Sequence, residues 1–255
     1  YLQGDPNVKK ISNHITKKVA DRLDEMFKNR REELQEKWDD IKLFVTYGML
    51  TDEKFAEKAV KFLLFENTDG SFKSWEEWQE ALKAAQTDKD GKLVVLYTSD
   101  KDKEHSYIER AKEKGYETLV LNTPLDAHLV QQLESKFENV RFARVDSNSI
   151  EKLIDKGEAA FSVLSEENKK ELSGIFENVA DKNRFVLSCE DLSASEAPVL
   201  VTQNEFMRRM TEMNAVGGGG MSMFGKMPES YNLVLNSNHP LMQKILNEAE
   251  APNRE

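Results

Sequence analysis

The sequence predicts an α+β fold in two parts, and three observations carry that expectation. Apolar residues recur at steps of three and four over the first sixty-odd positions, and short β-branched runs alternate with helical patterns through the middle of the chain. Two further apolar runs, "RFVLSC" and "APVLVT", lie among helices in the last third. The first part is expected to hold a three-helix coil (1–66) and a small α/β unit (67–147). The second (148–255) is expected to be an α+β domain with a short, mainly antiparallel sheet.

Val8, Ile11, Ile15, Val19, Leu23 and Met26 fall on one face of a first helix. Leu34, Trp38, Ile41 and Val45 mark a second, and Phe55, Ala59 and Phe62 or Leu63 a third, with Thr51 as its expected N-cap and Asp52 and Glu53 in its first turn. A turn at 67–71 precedes "SWEEWQEALKAA", a helix capped by Ser74. "KLVVLYTS" then reads as a buried strand, "HSYIERAKEKG" as a helix closed by Gly115, and "YETLVLN", "DAHLVQQLESKF" and "VRFARVD" as strand, helix and strand. That alternation implies parallel strands with crossover helices.

In the second part Ser165 caps a helix whose apolar face is Leu172, Ile175, Phe176 and Val179. "RFVLSC" and "APVLVT", joined by the turn-prone "EDLSASE", are expected to pair antiparallel. A helix from about Asn204, a strand "YNLVLN" and a last helix from Pro240 complete the order.

With 255 residues, 39% hydrophobic and 32% charged, the chain is in the globular class, and the net charge of −10 speaks against nucleic acid as a partner. No apolar run is long enough to span a membrane. The single cysteine, Cys189, excludes an internal disulfide framework and reads as a small buried hydrophobe at a strand end, fitting a reducing compartment.

The sequence carries few marks of catalysis. No glycine-rich loop follows the first buried strand, and no nucleophile elbow or His-Glu-x-x-His occurs. The four histidines lack ligand spacing, so no metal site is expected. "FENTDGSFKSWE" imitates a calcium loop, but Phe65 stands where its first oxygen ligand should be. An α/β hydrolase or phosphotransfer site of unfamiliar pattern stays open as an alternative, as does a purely structural scaffold.

The segment "MNAVGGGGMSMFGKM" (213–227) is the most informative stretch. Four glycines resist regular structure while Met213, Met221, Met223, Phe224 and Met227 supply adaptable apolar side chains. With Phe206, Met207 and Met210 just before it, it reads as a surface for exposed hydrophobic segments of other proteins, or else as a loop folded back on its own domain. Trp75 and Trp78, at i and i+3 on one helix, are a second candidate platform, or else core anchors.

Three strings carry a resemblance: "YLQGDPNVKKISNHITKKVADRL", "SYIERAKEKGYETLVLNTPLDAHLVQQL" with its Gly115-Tyr116-Glu117, Asp126 and Val130 to Leu133, and "NRFVLSCEDLSASEAPVLVTQNEFMRRMTEM". In this order they resemble the Hsp90 chaperone family in its bacterial form. The resemblance implies a homodimeric, ATP-driven chaperone of the cytoplasm, with residues 1–147 from its middle domain and 148–255 from its C-terminal domain. ATP and Mg would bind another domain, so no cofactor is expected here, and the catalytic arginine would fall just before Tyr1. Gln3 matches a glutamine of the family's γ-phosphate loop, which alone is not expected to hydrolyse ATP. The dimerisation helices would follow Glu255, so this stretch is expected to be a monomer or weak dimer. The partners implied are client proteins, bound through the region Asn204 to Met227. There Met207 matches a client-contacting methionine, and Gln203 replaces an aromatic found in some relatives.

Overall fold

The computed structural model describes residues 6–158, 161–217 and 230–249. The chain divides into two compact units, Tyr1–Ala143 and Arg144–Glu255.

The first unit opens with helices α1 (Pro6–Asn29), α2 (Arg31–Thr51) and α3 (Glu53–Ala59). Leu34, Trp38, Val45 and Met49 of α2 and Phe55, Ala56 and Ala59 of α3 are buried, as their helical spacing dictates. The stripe on α1 is used only in part. Ala20, Leu23 and Met26 join the core, whereas Ile11, Ile15 and Val19 are exposed, because the buried side chains of α2 and α3 meet only the later turns. Thr51 is not the cap of α3. It ends α2, its hydroxyl donating to the Tyr47 carbonyl, and Asp52 caps α3 by accepting from the Phe55 amide at 3.0 Å.

A hairpin of β1 (Leu64–Glu66) and β2 (Phe72–Ser74) follows. The calcium-like string is its turn: the Asn67 side-chain oxygen accepts from the amides of Asp69 and Ser71, and Gly70 adopts φ +84°, a conformation that favours glycine. Ser74 then starts α4 (Trp75–Gln86) with a capping box, its hydroxyl accepting from the Glu77 amide while the Glu77 carboxylate accepts from the Ser74 amide. The strands β3 (Leu93–Thr98), β4 (Thr118–Val120) and β5 (Val140–Arg144) alternate with α5 (His105–Glu113) and α6 (Asp126–Lys136). They form a sheet of order β4-β3-β5, with β3 and β4 parallel and β3 buried along its whole length.

Trp75 and Trp78 belong to this core, which corrects their reading as an exposed platform. Trp75 stacks on Phe142 at 5.4 Å between centroids and meets Phe65 and Phe137 edge-on. Trp78 is fully buried and donates its indole N–H to the Phe65 carbonyl at 2.9 Å. Burying two indoles between a helix and a sheet stabilises more than any exposed use of them would, so the i, i+3 pair anchors α4.

The second unit contains α7 (Ile150–Leu153), α8 (Glu166–Glu177), β6 (Phe185–Glu190), β7 (Val199–Thr202), α9 (Glu205–Gly217), β8 (Tyr231–Asn236) and α10 (Pro240–Ala249). Its sheet corrects the expected pairing. β6 and β7 do not pair with each other: β8 lies between them, parallel to β6 with Leu187 opposite Leu233 and antiparallel to β7 with Val201 opposite Leu233. The sheet is mixed, not mainly antiparallel. Burial explains the order: Val234 and Leu235 of β8 are covered, whereas Val186 of β6 and Val201 of β7 reach solvent, as edge positions do.

Leu172, Leu235, Met242 and Leu246 close the core, with Ile175, Phe176 and Cys189 beside them. Val179 lies beyond the end of α8 and is exposed, so the predicted face stops at Phe176. Burial pushes the Cys189 thiol up, away from the thiolate form. Among the described residues, no helix is long and apolar enough to cross a membrane.

Candidate functional site

Helix α9 starts at Asn204, whose side-chain oxygen accepts from the Met207 amide at 3.1 Å. Its sequence, EFMRRMTEMNAVG, puts Phe206, Met210 and Met213 on one face, with Met207 beside them, and Glu205, Arg208 and Glu212 on the other. An ordinary amphipathic helix would turn the methionines inward. This one does the reverse.

The Arg208 guanidinium is buried and donates to Glu205 at 2.7 Å and to Glu212 at 2.6 Å. Glu205 also accepts from Arg209 Nε at 2.6 Å and, through its other oxygen, from the Arg144 amide at 3.0 Å. Arg144 in turn grips Asp146 with two nitrogens, at 2.6 and 2.7 Å, and reaches Gln203 at 3.1 Å. Three arginines and three carboxylates therefore bind α9 by its charged face. Removing a guanidinium from water is tolerable only with such partners.

The apolar face is what remains. Phe206 is 68% exposed and Met207 48%, while Met210 and Met213 are half-buried. Leaving the first two in water forgoes roughly 1.5–3 kcal/mol each relative to burial. Folding gains nothing from that arrangement, and exposed apolar clusters of this kind mark places where other molecules bind.

The ends of the two buried strands β3 and β4, where an open α/β sheet would hold a ligand, offer less. The cavity past the end of β4, lined by Asp39, Lys42, Asn122 and Asp126, holds about 30 Å³, the room of a single water. Its Lys42 is engaged by Asp39 at 2.6 Å and Asn122 at 2.8 Å. Beyond β3, the buried Glu104 accepts from Thr98 and Ser99. The cavity past β4 is too small for a substrate, and the carboxylate beyond β3 is taken up by two hydroxyls, which does not favour the enzyme alternative.

A family model described as "Hsp90 protein" matches residues 1–255, the whole chain. The chain belongs to the Hsp90 family. Among curated relatives, the chaperone protein HtpG of Porphyromonas gingivalis is 50% identical over 249 residues, covering 96% of this chain and 36% of that protein. The HtpG of Bacteroides thetaiotaomicron is 48% identical over 98% of this chain and 37% of its own length. The more distant HtpG of Bdellovibrio bacteriovorus is 24% identical over 96% of the chain. This Hsp90 chain, of the bacterial HtpG type, thus spans little more than a third of the length of the first two relatives.

Of the residues singled out in the sequence, Phe206, Met207, Met210 and Met213 come together on α9, and Trp75 and Trp78 are core. Gln3, Met221, Met223, Phe224 and Met227 lie outside the described residues. What the sequence reading missed in this Hsp90 chain is the ionic underside of α9. The signal was present, since Glu205 and Glu212 bracket Arg208 and Arg209 at i, i+3, i+4 and i+7, spacings that let opposite charges pair.

Proposed function

We propose that the exposed face of α9, Phe206, Met207, Met210 and Met213, binds apolar segments of partly unfolded client proteins, and that Met221, Met223, Phe224 and Met227 extend it. The observation that supports this most directly is the inversion of α9, with Arg208 buried between Glu205 and Glu212 and Phe206 and Met207 in solvent. Methionine suits the task because an unbranched, polarizable side chain adapts to partners of varied shape. Each one covered by a client contributes roughly 1.5–3 kcal/mol before the ordering of both partners is subtracted, so single contacts are weak and several together are useful.

On this reading residues 1–147 belong to the family's middle domain and 148–255 to its C-terminal domain. The intact protein is a cytoplasmic homodimer whose ATP and Mg are held elsewhere, and its closure moves the client surface. The mechanism here is adaptable apolar contact, with no covalent step.

The test is suppression of aggregation of a heat-denatured client by the chain with Met207, Met210, Met221 and Met223 all changed to serine. Lost suppression with an unchanged circular dichroism spectrum is expected. Suppression equal to that of the unaltered chain overturns the proposal.

A further inference from the structure

Helix α2 is apolar on two opposite faces, and only one of them is used by the fold. Leu34, Trp38, Val45 and Met49 form the buried row. Leu43, Phe44 and Tyr47 lie on the far side, about half a helical turn around from it, and Phe44 is 73% and Tyr47 60% exposed. Among the described residues of the first unit, none covers Phe44 or Tyr47 from that direction. An isolated exposed apolar residue is unremarkable, but two aromatics and a leucine on one turn of an ordered helix are not.

The same face is acidic toward the start of the helix. Glu32, Glu36 and Asp40 follow one another at four-residue steps and lead into Leu43, Phe44 and Tyr47. All three carboxylate residues are exposed and, among the described residues, none makes an ion pair. The cations of α2 are committed elsewhere: Arg31 to Glu77, Lys37 to Glu33 and Lys42 to Asp39. Three uncompensated negative charges at helical intervals beside an aromatic pair form a surface with a definite complement.

We propose that this face of α2 docks a cationic amphipathic helix of a partner protein, one that places aliphatic or aromatic side chains on Phe44 and Tyr47 and lysines or arginines, four residues apart, on Glu32, Glu36 and Asp40. The site shares no residue with α9 and does not depend on the reading given to that helix. An anionic membrane is repelled by the same carboxylates, and nucleic acid likewise. The pattern matches helix-in-face recognition, in which apolar anchors supply affinity and flanking charge supplies orientation.

The probe is a fluorescein-labelled helical peptide of leucine, alanine and lysine, with lysines at four-residue intervals along one edge, followed by anisotropy with the full chain. A twin peptide carries glutamate in place of each lysine. Binding of the lysine peptide is expected to weaken by about tenfold in Phe44→Ser/Tyr47→Ser and comparably in Glu36→Lys/Asp40→Lys. The proposal is overturned if the α2 variants bind within about twofold of the unaltered chain, or if the glutamate peptide binds as tightly. It is equally overturned if sedimentation shows that the unaltered chain self-associates through this face and the Phe44→Ser/Tyr47→Ser variant does not, because the occupant is then a second copy.

Discussion

Met207 and Arg208 are adjacent in the chain and opposite in environment: the methionine is 48% exposed, and the arginine beside it is 5% exposed between Glu205 and Glu212. The pair separates what holds α9 from what α9 presents. Arg208→Ala leaves carboxylates partly buried without their guanidinium, which is expected to cost about 1–3 kcal/mol, discounted because Glu212 is partly in solvent. Phe206→Ser with Met207→Ser is expected to change stability by less than about 0.5 kcal/mol per site. Urea unfolding, with hydrogen exchange at the α9 amides, distinguishes the two. Equal destabilisation by both variants contradicts the division of roles.

The indoles of the first unit make a second prediction. Trp38, Trp75 and Trp78 are the chain's only tryptophans and all are buried. Their emission should be blue-shifted and insensitive to a client bound on α9. Trp75→Ala removes the ring stacked on Phe142 and is expected to cost about 3–5 kcal/mol of first-unit stability by denaturant titration. A variant within about 1 kcal/mol of the parent contradicts its anchoring role.

These examples also mark where the sequence is legible. Ser74 and Ser165 were readable as caps, and 92–99 as a buried strand, observed at Leu93–Thr98, because hydroxyl geometry and β-branched runs act within a few residues. The order β6-β8-β7 was not, because "YNLVLN" inserts between strands far from it in sequence, and strand pairing leaves no local mark. Trp75 and Trp78 share a spacing that suits a platform and a core anchor alike, and only Phe142 and the Phe65 carbonyl decide it. The charged face of α9 could be seen in the spacing. Its inward direction depends on Arg144 and Asp146, some sixty residues earlier.

Two glycines within helices give opposite expectations. A Cβ at Gly48 would lie 2.8 Å from the ring of Phe55, which is itself buried edge-on to Phe62, whereas at Gly174 nothing lies within 4 Å. Alanine gains about 0.5–1 kcal/mol of helix propensity at either site, but overpacking costs about 1–3 kcal/mol at the first. Gly48→Ala should therefore destabilise and Gly174→Ala stabilise, both read from the urea midpoint. A stabilising Gly48→Ala means that the ring of Phe55 moves freely.

Asp191 and Lys169 make the fold pH-dependent in a defined direction. Burial disfavours the Asp191 carboxylate, but the Lys169 ammonium at 2.8 Å and the hydroxyls of Ser237 and Ser162 outweigh it and hold the carboxyl below its ordinary range. Lys169, hydrogen-bonded to Asp191 and then Glu166, is held above its own. A lowered acid stabilises above its unfolded value of about 3.9 and loses that contribution as pH falls through the folded value. A raised base stabilises below about 10.4 and loses it as pH climbs through the folded value. The pair thus supports the second unit across the neutral range and weakens at both ends. Asp191→Asn should lower the melting temperature at neutral pH, flatten its fall between about pH 5 and about pH 3, and merge with the parent at the acid end, where the native carboxyl is protonated too. Calorimetric melts across that range test it, and parallel curves for the two proteins would show that Asp191 does not titrate with folding.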